Sequence, residues 1–161
     1  MKLIKMVLPL ILLTCCGGVK AVNEPEDIVS ISINYTHMTR ISAYGYTLEE
    51  VNGEIFFSCN YFNDDYEEII MEKILVDPKY MDEARGIAKK HGFSQMKYRE
   101  PSILQRQIMD APAASVTMYW MDKEKGGTRP TQRLLLNYHP PGTDELMELF
   151  KLLAKIYAAL I

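Results

Sequence analysis

Asn52-Gly53 lies between two runs of alternating character, Tyr44 to Val51 and Glu54 to Phe62. Both residues tolerate positive φ, which a two-residue turn needs if its twist is to match that of its strands, so the dipeptide commits the chain to a β-hairpin. The period of two then assigns sides: Ile55, Phe57, Cys59 and Tyr61 share one face of the second strand. Upstream, Val29, Ile31, Ile33 and Tyr35 alternate with Ser30, Ser32, Asn34 and Thr36, the pattern of another strand buried on one side.

Downstream, Glu68 to Val76 (EIIMEKILV) carries apolar residues on both sides and reads as a fourth strand, with a helix as the alternative. Asp77-Pro78 opens a helix, because the carboxylate can take orphan amides and proline suits the first turn. Lys89, Lys90, His91 and Gly92 close it. Tyr80, Ala84, Ile87, Ala88 and His91 form its apolar face, with lysine and arginine outside. Residues 94–114 read as a loop with one short helical turn, Ile103 to Met109. Ser115 to Asp122 and Thr131 to Tyr138 form a second hairpin across the charged KEKGGTRP loop. Thr143 caps a last helix whose stripe is Leu146, Leu149, Phe150, Leu153, Ile156, Tyr157 and Leu160. The order β-β-β-β-α-β-β-α predicts an α+β fold: an antiparallel sheet of five to six strands with both helices on one face.

The N-terminus reads as an address. Lys2 and Lys5 precede an apolar run, Met6 to Leu13, far short of the roughly 20 residues a spanning helix needs. Basic, apolar and small-residue parts follow one another as in a secretory signal peptide. Leu13-Thr14-Cys15-Cys16 resembles the lipobox of bacterial lipoproteins, which implies acylation at Cys16, or at Cys15. It departs from that pattern in having cysteine where glycine, alanine or serine precedes the modified residue. The alternative is cleavage after Val19-Lys20-Ala21, leaving Val22 as the first residue. Residues 1–21 are thus expected to be a leader, 22–28 a tether and 29–161 one domain. The layout as a whole, from lipobox and polar spacer through the opening strand, the Asn-Gly hairpin and the terminal strand-strand-helix, is similar to that of small lipoprotein domains of anaerobic bacteria. The similarity implies export and carries no activity with it. The expected location is the outer face of a bacterial membrane or the periplasm, lipid-anchored, or the medium if the anchor is absent.

Without residues 1–21 the chain loses Lys2, Lys5 and Lys20, and its 15 remaining basic residues face 21 acidic ones, a net charge of −6. Such a surface disfavours nucleic acid, whose phosphates call for clustered cations. A membrane partner is expected only through the lipid anchor. Cys59 is the one thiol outside the leader, so no internal disulfide framework holds the domain and its core must do so.

Chemistry-bearing residues are sparse. A Cys/His hydrolase would use Cys59 with His37, His91 or His139 as base and Asp64 or Asp65 as orienter, but Cys59 falls in an apolar row where a thiol acts as a small hydrophobe. The three histidines lack metal-ligand spacing, and Asn63 to Glu68 (NDDYEE) lacks the glycine and graded oxygens of a calcium loop. No metal or cofactor is expected. The sequon Asn34-Tyr35-Thr36 lies inside a strand and reads as accidental. What remains is binding: Tyr44, Tyr46, Tyr61, Tyr119 and Trp120, with Tyr66, are expected to expose aromatic anchors on the sheet face that the helices leave open. The expected role is non-enzymatic binding of an envelope protein or glycan.

Overall fold

The computed structural model describes residues 25–36, 43–96, 113–121, 130–136 and 140–160. Six strands form one antiparallel sheet: β1 Ile28–Thr36, β2 Tyr44–Val51, β3 Glu54–Phe62, β4 Glu68–Val76, β5 Ala113–Met121 and β6 Pro130–Leu136. They run in the order β4-β3-β2-β1-β5-β6, so β1 is interior and the chain crosses from edge strand β4 over the sheet to reach β5. Two helices, α1 Lys79–Lys90 and α2 Thr143–Ala158, complete the α+β layout expected from the sequence.

Both helices cover one face. Ile31, Ile33, Leu48, Phe57, Met118 and Trp120 from the strands meet Met81, Ala84, Leu146, Phe150 and Leu153 from the helices in a single core. The β2–β3 turn is the expected one, with Asn52 at φ 56° and Gly53 at φ 84°. On the far side of the sheet lie small hydroxyls, among them Ser32, which accepts a hydrogen bond from Thr47 Oγ1 at 3.0 Å.

Two bulges explain where the strand patterns break. In β4 the partners jump from Cys59↔Met71 to Phe57↔Ile74, so Glu72 and Lys73 together oppose Ser58. Lys73 adopts φ 51°, and its amide donates to Ser58 Oγ at 3.0 Å. The core-facing residues are therefore Ile69, Met71, Ile74 and Val76, and Ile70 and Leu75 point the other way, 56% and 57% exposed. A second irregularity between Ile28 and Ser30 puts Ile28, instead of the expected Val29, in register with Trp120 on the core side.

That second bulge gives Arg85 a task the sequence did not show. The guanidinium, expected on the outside of α1, folds inward: Nε and Nη2 donate to the Ile28 carbonyl at 3.0 and 2.7 Å, and Nη2 also pairs with Glu50 Oε2 at 2.7 Å. The helix face consequently differs from expectation, with Met81, Ala84 and Ala88 buried. Arg85→Met keeps the stem and removes the donors from a carbonyl on a fully buried residue, so it should destabilise the domain by about 2 kcal/mol in urea unfolding. An effect within about 0.5 kcal/mol, as for an ordinary surface change, would contradict this role.

The helix ends also depart from the expected caps. Asp77 behaves as predicted, its Oδ1 accepting from the Lys79 amide at 2.9 Å. Thr143 does not cap α2: its hydroxyl donates to the Pro140 carbonyl at 2.7 Å, and the cap position belongs to Gly142 at φ 92°. Toward its C-terminus the α2 stripe leaves the sheet, with Leu160 76% exposed. The residues expected as tether are in part structural. Pro25–Asp27 form a 3-10 turn beside α1, where Glu26 pairs with Lys89 Nζ at 2.7 Å. The helical turn expected at Ile103 to Met109, the leader with Cys15 and Cys16, and the histidines His37 and His139 lie outside the described residues.

Candidate functional site

The aromatic residues expected on the open sheet face do not gather there. Tyr46 pairs with Ile33 and Cys59, Tyr44 with Tyr35 and Tyr61, and all lie on the helix-covered side. Trp120 is 1% exposed in the core. Of the six expected anchors only Tyr119, half-buried opposite Ser30, belongs to the far face, and Tyr66 is exposed in the turn before β4. The physical reason is strand parity. Tyr46 and Leu48 share a side, as do Phe57, Cys59 and Tyr61, so the rings must follow the apolar rows into the covered face.

What they build is a row of rings at one end of the sheet. Tyr35 stacks on Tyr44 with centroids 5.0 Å apart, Tyr44 meets Tyr46 at 5.6 Å, and Tyr46 meets Tyr61 at 5.9 Å. Phe150 of α2 closes the inner end at 6.0 Å from Tyr46. One turn further along α2, the large side chains give way to Ala154 and Ala158, and a groove of about 570 Å³ opens between the helix and the ends of β2 and β3. Its floor is Tyr44, Tyr46 and Tyr61; Lys151 and Lys155 stand on the helix side and Asp64 on the turn side. The volume lies within the range of small-molecule sites.

Burial raises the phenol pKa values of Tyr44 and Tyr61, and raises that of Tyr46 most strongly. All three are therefore neutral hydroxyls at ordinary pH, able to donate and accept. Tyr46 is 3% exposed and lines the groove beside Tyr44 and Tyr61.

Asn63 shapes the rim. Its Oδ1 accepts from the amides of Asp65 and Glu67 at 3.0 and 2.9 Å, and its Nδ2 donates to Glu67 Oε2 at 3.1 Å. The oxygen that a calcium site would recruit is occupied by backbone donors. Among the described residues no group of three or more His, Cys, Asp or Glu side chains is placed to hold a metal ion.

The other candidate chemistry separates. Cys59 is buried in the core beside these rings, and burial pushes its thiol up to about 11. Attack requires the thiolate. His91 lies at the end of α1, where Nε2 is 2.9 Å from Glu145 Oε1 and Lys90 Nζ holds both oxygens of that carboxylate at 2.9 Å. Hydrogen bonds from Lys90 and His91 draw the Glu145 pKa down. This cluster ties α1 to the start of α2, and the partner it gives His91 is a carboxylate.

The raised Cys59 pKa has a pH consequence. The thiol ionises near 9 in the unfolded chain and near 11 in the fold, so its contribution is complete below pH 9 and is lost as pH rises toward 11. Melting temperature should fall across that window, and Cys59→Ala should flatten the fall although Tyr46 titration retains part of it. An identical slope in both proteins would contradict the burial of Cys59.

Comparison with family models, curated proteins and solved structures finds no match for this chain.

Proposed function

We propose that this chain is an exported, lipid-anchored envelope domain that binds a partner through the tyrosine-floored groove and performs no chemistry on it. The observation that carries the reading is the groove's place in the fold. The chain enters at Pro25–Asp27, beside the end of α1, whereas Tyr44 and Tyr61 lie in register with Tyr35 near the far end of β1. Nine strand residues separate the two by roughly 27 Å. A domain anchored by Cys16 would stand with its entry end toward the lipid and the groove outward. Neutral aromatic floors with polar rims suit recognition, since rings supply contact area and fixed hydroxyls supply direction.

Two measurements test the reading. Mass analysis of the N-terminus from the membrane fraction should find a diacylglyceryl-modified Cys16, or Cys15, that disappears on globomycin treatment; a free chain beginning at Val22 in the medium would replace the anchor with secretion. Ala158→Phe fills the groove from the exposed outer turn of α2 and should lower retention of the mature protein on envelopes from cells lacking it by at least tenfold. Asn60→Ala, on the opposite face, should leave retention unchanged. Equal retention of both variants would remove the groove from the function.

A further inference from the structure

The cations of the domain are distributed in a way that narrows the ligand. Of the lysines and arginines whose side chains are described, Lys73, Lys79, Arg85, Lys89 and Lys90 each pair with a carboxylate. Lys151 and Lys155 have no such partner among the described residues, and both line the groove. Lys155 also opposes the negative end of α2, which explains a cation there. Lys151, one turn earlier, gains much less from that field. On a chain whose net charge outside the leader is −6, two unpaired lysines beside one pocket form a local anion site.

The remaining lining limits the anion. Asp64 at the rim, and Asp144, whose charge helps raise the Tyr44 pKa, offset much of the positive charge of the two lysines, so the groove suits a singly charged carboxylate better than a doubly charged phosphate. Tyr44 and Tyr61, both half-buried, offer ring surface to a flat apolar face and phenol hydroxyls that can donate and accept. A ligand with one carboxylate, a flat carbon-bearing face and several hydroxyls satisfies all of these at once. Resting on the reading of the groove as the binding site, we infer that it takes an acidic sugar of the uronate class, its carboxylate between Lys151 and Lys155 and its ring on the tyrosine floor.

Calorimetric titration of the full chain with glucuronate- and galacturonate-ended disaccharides tests this, with maltose and inorganic pyrophosphate as comparison ligands. At least one uronate should bind tenfold or more tightly than either comparison ligand, and its affinity should weaken as salt is raised. Lys151→Glu/Lys155→Glu should lose at least tenfold and Lys151→Arg/Lys155→Arg should retain binding; both positions are exposed, so neither pair threatens the fold. Failure of both uronates, equal binding of maltose, tighter binding of pyrophosphate, or indifference to the glutamate pair would each overturn the assignment. Loss of envelope retention in Ala158→Phe alongside any of those results would show that the groove binds something else; normal retention would show that the groove itself was misread.

Discussion

Phe150→Ala should cost the domain about 4 kcal/mol, the effect expected when a large aromatic side chain is removed from a packed core. Phe150 is fully buried, and its ring meets Tyr46 at 6.0 Å and Phe57 at 6.1 Å, so one side chain joins α2 to both β2 and β3. Against a typical total stability of roughly 5–15 kcal/mol, such a loss lowers the melting temperature by roughly 15 °C. Leu152→Ala, on the outer side of the same helix and 50% exposed, should change stability by no more than about 0.5 kcal/mol. Comparable losses in both variants would mean that α2 does not seat on the sheet through the Phe150 face. Phe150 also forms the inner end of the tyrosine row, so a folded Phe150→Ala protein should lose envelope retention as well.

Gly142→Ala should destabilise by about 3 kcal/mol for two separable reasons. At φ 92° an L-residue carries a backbone penalty of about 1–2 kcal/mol. An added Cβ would also run into the ring of His91 and come to 3.0 Å from its Cβ, adding an overpacking cost of about 1–2 kcal/mol. The double variant Gly142→Ala/His91→Ala should recover most of the second part and none of the first. If His91→Ala gave no recovery, the α1 C-terminus and the start of α2 would not be packed together as the His91–Glu145 contact indicates.

The fold is most legible in the sequence where local chemistry decides the outcome. Asn52-Gly53 dictates the hairpin, Asp77 the entry to α1, and alternation the strands, since each signal acts within a few residues. The fourth strand is ambiguous for a definable reason. Its core-facing residues at 69 and 71, then 74 and 76, are two in-phase pairs separated by a bulge, and Ile70 and Leu75 place apolar side chains on the other face as well, so neither a period of two nor a single apolar side shows in the sequence. The roles of Arg85 and Gly142 escape a local reading because what they touch, the Ile28 carbonyl and the His91 ring, is distant in sequence.

The site is half legible. Tyr44, Tyr46 and Tyr61 stand out as residue types, but their parity with Leu48 and Phe57 already places them on the covered side of the sheet and not on the open one. The groove itself needs Ala154 and Ala158 to lie across from those rings, a contact between segments roughly 100 residues apart. No local period encodes it. Lys151 and Lys155 read from sequence as ordinary solvated helix positions, and only the ion pairing of the other cations sets them apart.

Among the described residues both helices lie on one face of the sheet, and adjacent residues of β3 test this arrangement directly. Cys59 lies on the covered face and Asn60 on the other. In folded Asn60→Cys protein, peptide-resolved thiol labelling should modify position 60 within minutes and leave Cys59 unmodified until denaturant is added. Equal labelling of both positions, or faster labelling of Cys59, would contradict the seating of helices on strands from which the groove and its proposed ligand follow.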